Sequence, residues 1–157
     1  MKIERLDHVH LYVDNLREVA AFLSDLLGTR WVGPIEFPEH GVMTAFNSLG
    51  IEMLQSTTSP DDTAKPLGAY IARVVESRGN MIVSLGLKVP DLDEAVAELE
   101  AKGIRVIPGG GNESIKAAST DRRDTKGIML ELVEYKDYAP VALANLNIDK
   151  LIDIPSI

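Results

Sequence analysis

The sequence predicts an α+β fold built from two copies of one βαβββ unit. Three observations predict it: a strand-like segment recurs along the chain, each copy leads into an amphipathic helix that ends at a glycine, and each half closes on an apolar strand that carries a glutamate. At one constant offset of 76 residues, the aligned pairs are His8 and Ser84, Val13 and Val89, Leu16 and Leu92, and Glu18 and Glu94. Glu52 and Glu131 align at an offset of 79 on the closing strands. Such self-similarity indicates a duplicated supersecondary unit.

The composition is that of an ordinary globular protein of 157 residues, 45% hydrophobic and 25% charged,. The net charge of -8 argues against a nucleic-acid surface, because phosphate binding needs a concentrated basic face,. There is no cysteine, which excludes disulfides, thiolate metal sites and cysteine nucleophiles,. No apolar run approaches the ~20 residues of a membrane span, and the N-terminus lacks a signal-peptide core. We therefore predict a cytoplasmic protein without a membrane segment.

The first strand places two histidines on one face. Successive side chains of a strand point to opposite faces, so His8 and His10 face the same way, with Leu6 and Tyr12 sharing their parity,. The other parity, which begins at Asp7, is mostly apolar, as expected of a strand that packs on a core. Imidazoles aligned in this way form a candidate wall for a metal or proton-transfer site. A pair of surface or hydrogen-bonded histidines is the alternative on these residues alone.

The helix of the first unit has clear end signals. Asn15 is a candidate cap with Glu18 in the capping-box position, and Gly28 supplies a left-handed stop,. Between them, apolar residues recur at helical spacing at Val19, Phe22, Leu23, Leu26 and Leu27,.

The rest of the first unit is predicted to be extended. Trp31 begins a strand as a packing anchor, and Pro34 and Pro38 are expected to break the chain,. A hairpin of residues 42–46 and 51–55 closes the unit.

A polar segment separates the halves and is predicted to be a linker. We divide the chain into modules at residues 1–57 and 81–135, a linker at 58–80 and a tail at 136–157, with a single domain covering 1–135. The linker includes one short predicted helix. Three cations in or near it, Lys65, Arg73 and Arg78, form a group suited to a carboxylate or phosphate,.

The second unit repeats the pattern of the first. A helix begins near Leu92 and ends at Gly103, and strands are predicted at 104–107, 116–120 and 128–135,. The tail at 136–157 carries enough apolar residues that we expect it to pack on the body or on a partner chain.

Two glutamates and a histidine form the candidate site. Glu52 and Glu131 both sit inside apolar strands. A buried carboxylate is costly unless it is paired, hydrogen-bonded or bound to a cation. Surface-facing glutamates are the alternative for either residue alone, but two at equivalent repeat positions, with His8, favour a shared site. This set suits a hard or borderline divalent ion.

These features resemble the vicinal oxygen chelate superfamily of glyoxalases, bleomycin-resistance proteins and dioxygenases. The resemblance rests on residues 6–9, 89–96 and 127–134, and residues 38–42 are similar to a turn of its methylmalonyl-CoA epimerase family. It implies two βαβββ modules that form a half-barrel sheet around one metal ion. It also implies that His8, Glu52 and Glu131 are the metal ligands.

The sequence departs from this family at two positions. Ser84 stands where the family places a histidine or another good ligand, and Thr44 stands where the epimerases have a general-base glutamate. His10 either fills the missing ligand position or replaces the missing base. General bases work best with a pKa near ambient pH, which favours an imidazole for the second role.

The function that follows is that of a metal-dependent isomerase or lyase. A divalent cobalt, manganese, nickel, zinc, iron or magnesium ion would support proton transfer next to the carbonyl of a small carbonyl compound or acyl-CoA, with His10 and Glu131 exchanging protons. The alternatives are a metal-free small-molecule-binding or resistance protein and an extradiol-type dioxygenase. The resemblance and the apolar tail also predict a homodimer.

Overall fold

A computed structural model describes residues 1–109 and 115–135 of the chain. The predicted tail at 136–157 lies outside the described residues. The strands are β1 (Arg5–Tyr12), β2 (Trp31–Phe37), β3 (Val42–Asn47), β4 (Ile51–Ser56), β5 (Met81–Lys88), β6 (Val106–Pro108), β7 (Ile115–Thr120) and β8 (Met129–Tyr135). The helices are α1 (Leu16–Leu27), α2 (Pro66–Arg78) and α3 (Leu92–Ala101). In the described ranges, no helix is long and apolar enough to cross a membrane.

The strands form one sheet in the order β2-β3-β4-β1-β5-β8-β7-β6. β1 and β5 pair antiparallel at its centre, and each also pairs in parallel with the last strand of its own module, β4 or β8. The predicted α+β fold, two βαβββ modules in a half-barrel sheet, is confirmed.

The register at the centre of the sheet reproduces the repeat seen in the sequence. His8 lies opposite Gly86, and His10 lies opposite Ser84. Exchanging the two modules therefore superimposes His8 on Ser84 and His10 on Gly86, which is the offset of 76 residues read from the sequence. A pseudo-twofold axis that relates the two modules thus passes through the centre of the sheet.

The two faces of the sheet pack differently. α1 and α3 cover one face through two apolar clusters, which include Leu16, Ala20, Trp31 and Met53 in one module and Val89, Leu92, Leu99 and Leu132 in the other. The opposite face, which we call the cup, carries the histidines of β1. One side of the cup is covered by α2, whose Ile71 packs with Tyr12 and Val42.

α1 has the predicted ends but a narrower buried stripe. The side chain of Asn15 accepts a hydrogen bond from the Glu18 backbone at 3.2 Å, and Gly28 is left-handed with φ of 63°. The fully buried residues of the helix are Leu16 and Ala20, whereas Phe22 and Leu26 are each 63% exposed. The apolar periodicity therefore located the helix and part of its buried side, since Val19 and Leu23 pack against the core cluster that contains Leu16 and Ala20.

The predicted break at Pro34 is wrong. β2 continues from Trp31 to Phe37, with a register shift between Val32 and Ile35. Proline cannot donate to a strand ladder, but β2 is at an edge of the sheet, where an unpaired position costs little,.

Candidate functional site

Four predicted side chains converge at the centre of the cup. Nε2 of His8 lies 2.8 Å from Oε2 of Glu131 and 3.9 Å from Oε2 of Glu52. Nε2 of His10 lies 3.0 Å from the same Glu52 oxygen and 3.6 Å from the same Glu131 oxygen. The rings of His8 and His10 meet edge-on, with centroids 4.6 Å apart. Residues separated by most of the chain length thus form one polar cluster.

The sheet register explains this convergence. His8 and His10 are two residues apart on β1, so their side chains share a face. Glu52 of β4 pairs with His10 of β1. Glu131 of β8 pairs with Gly86 of β5, which in turn lies opposite His8. The Glu52 and Glu131 side chains are 15% and 18% exposed, so both carboxylates are largely withdrawn from water.

Gly86 makes room for the His8 ring. A Cβ atom added at Gly86 would lie 2.5 Å from Nδ1 and 2.6 Å from Nε2 of His8, far inside van der Waals contact. Gly86 is the repeat equivalent of His10. The second module therefore leaves the space that an imidazole of the first module occupies.

Asp7 is a member of the site that the sequence pattern misplaced. Strict alternation assigns it to the face opposite His8, but β1 has a register shift between Leu6 and His8. The shift leaves Leu6 58% exposed and buries Asp7, whose Oδ2 lies 2.9 Å from Nδ1 of His8. The predicted common face of Leu6 and His8 is therefore wrong, because the strand is irregular at this point.

A hydrogen-bond network holds the Asp7 carboxylate in place. The hydroxyl of Tyr135 donates to Oδ1 of Asp7, and Nη2 of Arg5 donates to the Tyr135 hydroxyl at 2.6 Å. Nη2 of Arg5 also lies 3.5 Å from Asp7 Oδ1. Residues from the two ends of the domain's sequence thus hold the Asp7 carboxylate, Arg5 as a cation and Tyr135 as a hydrogen-bond donor.

Ser84 and Thr44, the two positions of departure, both contact the cluster. Oγ of Ser84 lies 2.5 Å from Nδ1 of His10. The Thr44 hydroxyl donates to Oε1 of Glu52 at 3.3 Å. Each residue therefore positions a neighbouring side chain, and Ser84 leaves Nε2 of His10 directed at the cup.

The charges of the cluster are strongly coupled. Burial lowers the pKa of His8, but hydrogen bonds with Asp7 and Glu131 outweigh it and raise the value to about 10. Burial also opposes the charged form of His10, yet the Glu52 carboxylate raises its pKa above the ordinary value. Burial works to raise the pKa of Glu131, whereas the hydrogen bond with His8 keeps it below its usual range. These pKa shifts favour the imidazolium form of both histidines and the carboxylate form of Glu131 when no cation is bound.

The donor set nevertheless fits a divalent cation. Ligand atoms of His8, His10 and Glu52 all lie within 4.8 Å of one another. Imidazole and carboxylate donors together suit borderline divalent ions. The contact between Asp7 and Nδ1 of His8 leaves Nε2 pointing into the cup, an arrangement found around most metal-bound histidines,.

Other predicted or overlooked residues fall into two groups. Within the described residues, no hydrogen bond or ion pair joins the cationic group of the linker to the cluster, and Arg73 donates to the carbonyl of Pro60. Asp7, Gly86 and Tyr135 belong to the site but were not assigned to it from the sequence. Gly86 did carry a signal, because the offset that aligns His8 with Ser84 also aligns His10 with a glycine.

Comparisons with known proteins agree with this architecture. The human mitochondrial methylmalonyl-CoA epimerase is 25% identical over 135 residues, which cover 82% of this chain and 72% of that protein. The crystal structure of methylmalonyl-CoA epimerase from Mycobacterium tuberculosis superimposes with a TM-score of 0.71 at 23% identity, covering 86% of this chain and 90% of that one.

A second structure, a Streptomyces coelicolor methylmalonyl-CoA epimerase variant in complex with 2-nitronate-propionyl-CoA, has a TM-score of 0.71 at 20% identity. It covers 87% of this chain and 100% of that one. The family model of the Glyoxalase/Bleomycin resistance protein/Dioxygenase superfamily matches residues 7–122, well over half of the sequence. The chain belongs to this superfamily.

Proposed function

We propose that this protein is a metal-dependent isomerase. It removes and returns a proton at the carbon next to the carbonyl of an acyl-CoA. The observation that carries the proposal is the convergence of two imidazoles and two carboxylates in one cup. Such a set is rare as a purely structural device, because burying charged groups costs free energy. Ionisable groups with shifted pKa values that are gathered in this way are also a mark of functional sites.

His8, His10 and Glu52 are the proposed metal ligands. This choice follows the mutual distances of their donor atoms, and it gives His10 the position that Ser84 leaves open. Glu131, which the family resemblance also implies as a ligand, lies 2.8 Å from Nε2 of His8 but is not part of this group of three. A divalent cation at this position would supply electrostatic stabilisation of the negative charge that develops on a carbonyl oxygen.

The side chains around the ligands have distinct roles in this proposal. Glu131, contributed by the second module, accepts the proton from the carbon next to the carbonyl. Asp7 holds the tautomer and the orientation of His8 through Nδ1,. Thr44 restrains the Glu52 carboxylate. Removal of this proton is the first step of both isomerase and lyase chemistry.

The substrate class is proposed from the relatives. The human relative is named for methylmalonyl-CoA, and the Streptomyces structure contains an acyl-CoA analogue. A small acyl-CoA is therefore the substrate to test first. A cytoplasmic homodimer remains our prediction for the assembly.

Two measurements test this function. We expect the purified protein to carry about one divalent ion per chain by elemental analysis, and His8→Ala to lose it, because that substitution removes a ligand from the centre of the cluster. We expect the unaltered protein to exchange the α-hydrogen of methylmalonyl-CoA for deuterium in D₂O, followed by NMR.

His40→Ala is the matched control, because the His40 side chain is 58% exposed and lies in the turn before β3. It should keep both the metal and the exchange. Stoichiometric metal in the His8→Ala protein would refute the assigned ligand set.

A metal-free binding protein is the second candidate, and one observation favours it. Each carboxylate already has an imidazole partner, at 2.8 Å for Glu131 with His8 and 3.0 Å for Glu52 with His10. Both carboxylates of the cluster are therefore paired without a cation. Elemental analysis of protein purified without chelator separates the two candidates.

A further inference from the structure

Two adjacent arginines in the turn between β7 and β8 have different surroundings. Arg123 is paired with Asp121, with Nη2 at 2.5 Å from Oδ2. Arg122 instead extends to α2, where it donates to the hydroxyl of Tyr70 and lies 5.2 Å from the centre of that ring. Arg122 forms no ion pair with any residue in the described ranges. Its charge is thus oriented by an aromatic ring and is not neutralised by a carboxylate.

The register of the sheet places Arg122 at one rim of the cup. Tyr12 pairs with Met81, and Ser84 pairs with Met129, the first residue of β8. The turn that precedes β8 therefore lies at the same end of the sheet as Tyr12. Tyr12 is two residues beyond His10, which corresponds to about 7 Å along a strand.

Tyr12 links this rim to the metal-binding cluster. Its ring meets that of Tyr70 edge-on, with centroids 6.1 Å apart. Burial raises the pKa of Tyr12, and Glu131 and Glu52 add to this effect whereas Arg122 opposes it. The Tyr12 ring thus connects Tyr70, which holds Arg122, with the strand that carries His10.

We propose that Arg122, held by Tyr70, binds an anionic oxygen group of the substrate while the acyl carbonyl lies at the cluster. The proposal rests on the function proposed above and names a recognition residue for it. In a protein of net charge -8, a cation at the rim of the cup gives an anionic substrate a favourable contact on its way to the cluster,. A guanidinium has five donors in a planar fork that matches carboxylate and phosphate, and the Tyr70 hydroxyl engages only part of it.

The anionic group has two possible sources in an acyl-CoA: the free carboxylate of a malonyl-type acyl group and the phosphates of the CoA moiety. Three probes distinguish them by isothermal titration calorimetry. Methylmalonyl-pantetheine has the carboxylate without phosphate, propionyl-pantetheine has neither, and free CoA has the phosphates without the acyl group. Each is titrated into the full chain, as purified and after chelator treatment.

The variants are Arg122→Gln, which removes the charge, and Arg122→Lys, which keeps the charge without the planar fork. Arg123→Gln is the control, because it removes the same charge from the neighbouring residue of the same turn. We expect Arg122→Gln to lose about tenfold in affinity for one anionic probe, as for a charge-assisted hydrogen bond at an exposed site. Arg122→Lys should lose less, and Arg123→Gln should match the unaltered protein.

Loss confined to methylmalonyl-pantetheine supports the proposal with the carboxylate as the group bound, and loss confined to CoA supports it with phosphate. The proposal is overturned if neither anionic probe binds the unaltered protein, if Arg122→Gln leaves both affinities unchanged, or if propionyl-pantetheine is weakened equally. Metal content is measured on the same samples. If the unaltered protein lacks metal, the proposed function is refuted. The titrations of chelator-treated protein then still decide whether Arg122 binds the anionic group.

Discussion

The two modules share one backbone plan but contribute different chemistry at the centre of the sheet. β1 carries His8 and His10, whereas the equivalent positions of β5 are Ser84 and Gly86. Each module keeps one carboxylate, Glu52 or Glu131, on its last strand. The duplication thus retained the acidic groups symmetrically and placed both imidazoles in the first module.

Packing at the pseudo-twofold axis explains this asymmetry. The His8 ring lies over Gly86, where a Cβ atom would collide with it. A side chain at position 86 and an imidazole at position 8 therefore exclude each other in the observed arrangement. The second module supplies space and a supporting hydroxyl, and the first supplies the nitrogen ligands.

The largest effect is expected from filling that space. Gly86→Ala should displace the His8 ring from Asp7 and Glu131, and should therefore abolish metal binding as His8→Ala does. Overpacking of this kind also lowers the free energy of unfolding by about 1–3 kcal/mol. Elemental analysis and thermal unfolding measure the two effects.

Ile82→Ala is the control on the same strand, because Ile82 is 60% exposed and its side chain can be shortened without a steric clash. It should retain the metal. If Gly86→Ala also retains stoichiometric metal, the steric explanation of the asymmetry is wrong.

The next effect concerns which module provides the second imidazole. His10→Ala should weaken metal binding by about a hundredfold, at or above the 10–100-fold typical of losing an outer-shell partner. Ser84→His in the same chain should restore much of this affinity, because Ser84 contacts His10 and the deleted ring leaves room for the new one. Competition with a metal-sensitive dye gives both affinities.

The double variant His10→Ala/Ser84→His is compared with both single variants, because the effects of substituting residues in contact are not additive. Unchanged metal affinity in His10→Ala would return the ligand set to His8, Glu52 and Glu131 and would leave His10 as a proton carrier.

A smaller effect on metal affinity is expected from Asp7, which contacts the side of the His8 ring that faces away from the cup. Asp7→Asn keeps an oxygen that can accept from Nδ1 of His8 but removes the negative charge, so metal affinity should fall about tenfold while the fold is retained,. The same dye competition measures it. Asp14→Asn is a control just beyond the end of β1, since Asp14 is exposed and its charge is removed in the same way. Equal affinities for the Asp7→Asn and unaltered proteins would show that this charge does not tune His8.

Much of the fold could be read from local pattern. The ends of α1 follow from Asn15 and Gly28, because capping and left-handed stops are determined by one or two residues,. The duplicated order of strands followed from the repeat itself. The path of β2 through Pro34 could not be read, because only the position of β2 at the sheet edge makes a proline acceptable there,.

The residues of the candidate site also fall into those that the sequence could predict and those that it could not. The residues His8, His10, Glu52 and Glu131 could be selected from their types, their parity and their repeat positions. The inclusion of Asp7 could not, because period-two alternation fails wherever a strand changes register. The support of His10 by Ser84 depends equally on the pairing of β1 with β5, which no local pattern specifies.

By itself the sequence determined the duplicated units, their helix ends and the identity of the polar residues on apolar strands, because each of these depends on neighbours along the chain. Only the tertiary structure decided which atoms meet: the antiparallel pairing of β1 with β5, the space above Gly86 and the approach of Arg122 to Tyr70. These contacts join residues far apart in the chain, and their geometry is fixed by the packing and register of the whole sheet.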